Sequence, residues 1–184
     1  MSIENDITEK RFKGYNSDNF SLKIALTAIT AALYIALGYI FQAISFLGLQ
    51  FRVAELIVGM CIIFPFEGLV GNIIGVFFVN LSSPLGPIDL ISCIVNVPAL
   101  YCIIYFKDKG GLKFLGGILY ALIISLYVAF ILNFVLSLPI MLMFIQVLIP
   151  EVILTTLGII LFENIKRALN INDKINRKKG EISS

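Results

Sequence analysis

The chain has no histidine. That single absence excludes a Ser-His-Asp triad, a Cys-His pair, an HExxH zinc site and any imidazole-ligated metal. No Gly-Lys dipeptide occurs either, so there is no Walker A loop to cradle and hydrolyse ATP. The three cysteines (Cys61, Cys93 and Cys102) are odd in number and sit inside apolar runs. They read as small buried apolar residues, not as a disulfide frame or a metal site. Charge is scarce as well: 14% of the 184 residues are Asp, Glu, Lys or Arg, against roughly a quarter in soluble domains. Apolar side chains make up 59% of the chain, and the mean hydropathy is +0.96. This composition excludes a soluble enzyme, a nucleic-acid binder and a disordered tail. It implies a small integral membrane protein.

The few charges are segregated. Residues 1–23 carry eight, residues 163–184 carry nine, and the segment Lys107–Lys113 carries four. Five remain: Arg52, Glu55, Glu67, Asp89 and Glu151. A charge at bilayer depth costs several kcal/mol unless it pairs or faces a cavity, so these five are the first candidates for function. A spanning helix needs about 20 mainly apolar residues. Leu22–Phe41, Ile88–Phe106, Phe114–Leu136 and Pro139–Phe162 each qualify. The intervening stretch Val53–Leu81 has Pro65-Phe66-Glu67-Gly68 at its centre and reads either as one kinked span or as a hairpin of two short ones.

Basic residues decide between them, because Lys and Arg of short loops stay cytoplasmic. The hairpin gives six spans and puts 13 of the 14 Lys and Arg on one side, leaving only Arg52 near the other. A single span splits the basic segments between the two faces. The expectation is therefore an all-α membrane protein with six transmembrane helices and both termini cytoplasmic. It comprises a polar segment 1–21, a membrane domain 22–162 and a basic tail 163–184. The arm Val53–Phe64 is short, about 18 Å as an α-helix against a core of about 30 Å, and must extend, tilt or be sheltered. The polar N-terminal stretch is too long for a secretory n-region and no small-x-small site follows the apolar run. No internal repeat of the inverted-transporter kind is visible.

Ala28, Ala32 and Ala36 form one stripe along the first helix, since a four-residue step drifts only about 40°. Small-residue stripes let another helix approach closely in lipid, either within the chain or from a second protein. Arg52 and Glu55, three apart, are close enough to pair as an interfacial salt bridge. Asp89 follows the rigid turn Pro84-Leu85-Gly86-Pro87, where a carboxylate commonly serves as a cap or dipole partner. Asn96 lies about 10 Å deeper on the same helix. Glu151 is the strongest signal, an acid near mid-membrane behind Pro150 with Gln146 close by, and a pathway or cavity role is its default reading. Gln50, Arg52, Glu55, Asn80, Asp89, Asn96, Gln146 and Glu151 form the expected binding set. It lacks a nucleophile–base pair, so it suits binding of a polar, planar, near-neutral solute and not catalysis. No metal site is expected.

Six short-looped helices, the alanine-striped first helix and an outward polar set resemble the substrate-binding S components of energy-coupling factor (ECF) vitamin transporters. More narrowly, Leu49-Gln50-Phe51-Arg52-Val53-Ala54-Glu55-Leu56 is similar to the Gln-Phe-Arg-x-Ser-Glu segment of the QueT queuosine-precursor group. Asn80, Gly86-Pro87-Ile88-Asp89 and Glu151 with the later Gly158 match that group in order and spacing, over residues 22–165. Ala54, Cys93 and Pro150 depart from it, standing where serine, glycine and glycine are usual. The resemblance implies capture of a 7-deazaguanine-type compound outside the cell, with no cofactor in this chain. It also implies association with a transmembrane T component and two ATPase subunits that use the ATP, docking through Ala28, Ala32 and Ala36, and toppling in the membrane to release ligand inside. Competing readings are an S component for riboflavin, thiamin or folate, a non-transporting scaffold whose polar residues only glue helices, and, weakest, a membrane-embedded enzyme.

Overall fold

In the computed structural model, the backbone is described for residues 20–42 and 51–182, and side chains for 20–42 and 51–169. Gln50, residues 1–19 and most of the 42–52 connection lie outside the described residues. Among the described residues the fold is all-helical, with no strand. Five α-helices run α1 Phe20–Ile40, α2 Pro65–Asn80, α3 Ser92–Phe106, α4 Lys113–Leu136 and α5 Ile140–Ile182. Three 3₁₀ helices intervene, at Val53–Ile62, Gly86–Ile91 and Gly110–Leu112. Four helical stretches are long and apolar enough to cross a bilayer: Phe20–Ile40, Gly86–Phe106, Gly110–Leu136 and Ile140–Leu169. Val53–Ile62 and Pro65–Asn80 are the two shorter apolar helices.

Backbone approaches at small residues fix the directions. A Cβ on Gly71 would meet Thr30, one on Gly75 would meet Tyr34, and one on Gly38 would meet Val79. Partner numbers rise together, so α1 and α2 run parallel, and the chain must return between them. The Val53–Ile62 segment is that return, which selects the hairpin over the single kinked span. The remaining neighbours are antiparallel. Asn80 bonds to Ser92 between α2 and α3, Tyr120 to Asn96 between α3 and α4, and Lys113 pairs with Glu163 between α4 and α5. Both ends of the helical bundle therefore lie on the side of the Lys107–Lys113 loop.

The return segment solves its length problem by winding as 3₁₀. At about 2.0 Å per residue, ten residues cover about 20 Å where an α-helix covers about 15 Å. It is also sheltered, with eight of its ten residues buried. Three residues per turn give it three faces. Ala54, Ile57, Met60 and Ile63 pack with Tyr34, Val76, Val79 and Phe162, whereas Val58 and Cys61 join the core of Leu100, Ile103, Tyr120 and Ile159. The third face carries Leu56 and Gly59 and touches α5 backbone to backbone. A Cβ on Gly59 would stand 2.3 Å from the Gly158 carbonyl oxygen.

The breaks have local causes. Gly86 turns the chain at φ +75°, a region costly for side chains with a Cβ, and its N–H donates to Ser83 O at 3.1 Å. Helix α4 ends at Ser137 in the left-handed conformation, its N–H bonded to Asn133 O, just before Pro139. Helix α5 runs 43 residues, about 64 Å, through Pro150 and on beyond the apolar span. Large apolar side chains face outward around the bundle, among them Ile94, Phe130, Phe134 and Met141.

Candidate substrate-binding site

The 3₁₀ helix delivers Arg52 and Glu55 to the bundle interior, where they are 8% and 1% exposed. The Glu55 N–H donates to Arg52 O at 2.9 Å, the first turn of that winding. Their side chains do not form the ion pair that their spacing allows. Both oxygens of Glu55 are already taken: the Tyr34 hydroxyl donates to Oε1 at 2.7 Å and the Tyr120 hydroxyl to Oε2 at 2.5 Å. The same Tyr120 hydroxyl lies 3.0 Å from Asn96 Oδ1. Tyr34 reaches Glu55 because Gly75 of α2 leaves it room. Glu55 is thus an anchored carboxylate holding α1, the 3₁₀ helix and α4 together.

Asp89 opens the next side of the site. Its carbonyl accepts from Ser92 Oγ at 2.6 Å and Asn80 Nδ2 at 3.2 Å, and Asn80 Nδ2 also donates to Ser92 Oγ at 2.6 Å. Asn96 Nδ2 donates to the Ser92 carbonyl at 3.0 Å. This polar ladder fixes the backbone and leaves the carboxylate uncommitted. Neither the 3₁₀ helix Gly86–Ile91 nor α3 has a side-chain cap bond, so Asp89 is not serving as the helix cap its position suggested. Asp89 is 1% exposed, and its Oδ2 has no hydrogen-bond partner among the described residues.

Glu151 completes the group. Eleven residues into α5, it sits about 16 Å below the start of that helix, near the middle of a core of about 30 Å. It is 1% exposed, and among the described residues neither Oε1 nor Oε2 has a partner. A buried carboxylate without donors costs several kcal/mol, so a donor brought to Glu151 would bind there favourably. Arg52 is the common neighbour. It lies within electrostatic reach of Asp89 and Glu151, and also of Tyr34 and Glu55. Among the described residues every ion pair lies far away, at the Lys107–Lys113 end.

The structure therefore brings Arg52, Glu55, Asp89, Asn96 and Glu151 around one interior region, with Asn80 behind it in the ladder. Gln146 is half-buried and about 140° round α5 from Glu151, and nothing among the described residues links its side chain to the group. Because Pro150 has no N–H, the carbonyl of Gln146 loses its usual helical donor. Glu67 lies apart, buried in the first turn of α2, where an acid complements the helix dipole. Three participants escaped sequence reasoning: Tyr34, Tyr120 and Ser92. Tyr34 had a signal, since Thr30, Tyr34 and Gly38 share one four-residue stripe opposite the alanines. Tyr120 and Ser92 look like ordinary members of apolar helices until their partners across the bundle are known.

The alanine stripe points away from all of this. Thr30, Ala31, Tyr34 and Gly38 are the buried face of α1, while Ala28, Ala32 and Ala36 are exposed. An intramolecular contact for the stripe is thereby excluded among the described residues.

A family model described as QueT transporter matches residues 24–167, most of the chain. The chain belongs to the QueT transporter family. No curated protein and no solved structure matches it. QueT proteins are transporters, so this chain is a multi-pass membrane transport protein and not an enzyme, in agreement with its apolar helices. The matched range holds every member of the polar group and the exposed alanine stripe.

Proposed function

We propose that this QueT protein is the substrate-binding S component of an ECF transporter and captures a queuosine precursor or related 7-deazaguanine compound. The observation that carries the reading is Glu151, a mid-bundle carboxylate whose two oxygens have no partner among the described residues and which lies within electrostatic reach of Arg52. A guanine-like edge offers two adjacent N–H donors, which one carboxylate accepts side by side, and next to them a carbonyl that an Arg donor satisfies. Gln50 and Asn96, two further members of the expected set, join Arg52 on the acceptor side of the ring.

In the sequence 13 of the 14 Lys and Arg fall in the two terminal segments and the Lys107–Lys113 loop, which supports a cytoplasmic place for the loop end of the bundle and an outward-facing Asp89 end. The chain has no Walker A loop, so uphill import draws on partners: a transmembrane T component and two ATPase subunits, which use the ATP. The exposed Ala28, Ala32 and Ala36 face supports docking on the T component, because small residues let helices approach closely in lipid. Toppling of the S component within that complex then delivers ligand inside.

Two measurements test this reading. Purified protein is screened by thermal shift against 7-deazaguanines, riboflavin, thiamin and folate; stabilisation by the 7-deazaguanines alone supports it, and stabilisation by another vitamin replaces the substrate. Co-purification from native membranes identifies the partners by mass spectrometry; recovery without any T or ATPase subunit contradicts the S-component assignment.

A further inference from the structure

The α3–α4 connection, Lys107-Asp108-Lys109-Gly110-Gly111-Leu112-Lys113, gathers three lysines at one end of the bundle. Two of them are answered. Lys107 pairs with Asp108, which also holds Lys166 of α5 at 3.5 Å. Lys113 pairs at 3.1 Å with Glu163, which also holds Arg167 at 3.3 Å. Five cations here face two carboxylates, and Lys109 is the one that belongs to no ion pair among the described residues. The backbone fixes where it stands. The Lys109 N–H donates to Phe106 O at 3.0 Å, which folds residue 109 back over the end of α3, and Gly110 at φ +57° turns the chain on toward α4. Lys109 Nζ consequently lies 3.6 Å from the centroid of the Tyr105 ring and 4.9 Å from that of Phe106, two rings packed edge to face. An aromatic face orients an ammonium without cancelling its charge.

We propose that Lys109, held on the Tyr105 ring, is a binding site for the headgroup of an anionic phospholipid in the leaflet that this end of the bundle meets. Tyr105 ends an exposed line on α3, made of Ile94, Pro98, Tyr101 and Tyr105 at steps of three and four residues. Because α3 belongs to a span long and apolar enough to cross a bilayer, acyl chains lie along that line. Tyrosine rings at the end of a span sit at headgroup level, so the ammonium above Tyr105 stands at the height of the lipid phosphates. Leu112, three residues on, is exposed as well, an apolar side chain that favours lipid over water. Asp108 does not compete for Lys109, since its carboxylate is taken by Lys107 and Lys166. A zwitterionic headgroup brings its own cation and leaves the excess positive charge unanswered. An anionic headgroup answers it.

The test reads the lipid that the purified full chain retains. Protein reconstituted in nanodiscs of equimolar phosphatidylglycerol and phosphatidylcholine is extracted into mild detergent, passed over a sizing column, and its bound lipid quantified by mass spectrometry. The parent is expected to retain phosphatidylglycerol in preference to phosphatidylcholine. Lys109→Gln lowers that ratio by about fivefold, the effect of one cation at an anionic surface, and Lys109→Arg keeps it. Arg167→Gln makes the same change in net charge and also keeps the ratio, because Glu163 retains Lys113. That contrast separates a site from the general attraction of the basic tail. Lys109 is exposed, so its replacement leaves the fold intact, which an unchanged melting temperature in phosphatidylcholine alone checks. Equal retention of the two lipids by the parent, or equal losses in Lys109→Gln and Arg167→Gln, overturns the proposal. Release of the retained phosphatidylglycerol by glycerol 1-phosphate overturns it too, since the site would then take a free phosphate and not a lipid.

Discussion

Gly59 and Gly158 meet backbone to backbone. A Cβ on Gly59 would lie 2.3 Å from the Gly158 carbonyl oxygen, and one on Gly158 would lie 2.4 Å from the Leu56 carbonyl oxygen. This contact sets how deeply the 3₁₀ helix seats on α5, and hence how Arg52 and Glu55 stand relative to Glu151, two turns up the same helix. Gly158→Ala and Gly59→Ala are expected to destabilise the protein by about 1–3 kcal/mol, as overpacking does, and to weaken ligand binding. Gly111→Ala, with nothing within 4 Å of its Cβ, serves as the control. Thermal unfolding in detergent checks the ordering.

The two tyrosines on Glu55 make a second prediction. Tyr34→Phe and Tyr120→Phe each leave one buried carboxylate oxygen without its donor, at a cost of about 1–3 kcal/mol. Tyr120→Phe is the more damaging, because Asn96 Oδ1 loses its neighbouring hydroxyl as well. Melting temperatures of the two variants beside the parent test this. A Tyr120→Phe protein as stable as the parent would mean that Glu55 is satisfied in some other way.

Ala32→Leu separates capture from transport. Ala32 is exposed and on the opposite face of α1 from Tyr34, so a larger side chain there leaves the fold and the site untouched. Ligand binding by the isolated chain is expected to be unchanged, while uptake by the assembled transporter is lost. Unimpaired uptake would remove the docking role of the stripe.

At the other end of the bundle, Asp108 joins the loop to α5 through Lys166 at 3.5 Å and also pairs with Lys107. Partial burial pushes its carboxyl up, but the Lys107 hydrogen bond and charge, together with Lys166, more than offset this and hold it below the usual value. A depressed carboxyl contributes stability above its unfolded value of 3.8, and that contribution is lost as pH falls through the lower folded value. Asp108→Asn is expected to lower stability at pH 7 by less than about 1 kcal/mol, because the group is largely exposed and screened. The difference from the parent should vanish below that window, as read from melting curves across pH.

Much of the architecture was legible in the sequence because lipid imposes strong rules. The segregation of Lys and Arg required a hairpin at Val53–Leu81, and the parallel packing of α1 against α2 bears that out. Arg52, Glu55, Asp89 and Glu151 stood out as charges that lipid would not tolerate alone. Other features were hidden for physical reasons. A ten-residue 3₁₀ helix has no distinct composition, and only its three-way packing reveals why Val53–Ile62 winds more tightly than an α-helix. Whether Glu55 pairs with Arg52 depends on Tyr34 and Tyr120, which lie 21 and 65 residues away and approach only after folding. The orientation of the alanine stripe was likewise open until Tyr34 and Gly38 were found on the buried face of α1.

The central claim is that Glu151 holds the donor edge of a 7-deazaguanine. Titration calorimetry of 7-aminomethyl-7-deazaguanine into the purified protein and its Glu151→Gln variant tests it most directly. The account predicts saturable one-to-one binding by the parent and binding weaker by about tenfold or more in a variant whose melting temperature shows that it remains folded. Equal affinity in the two proteins would contradict it.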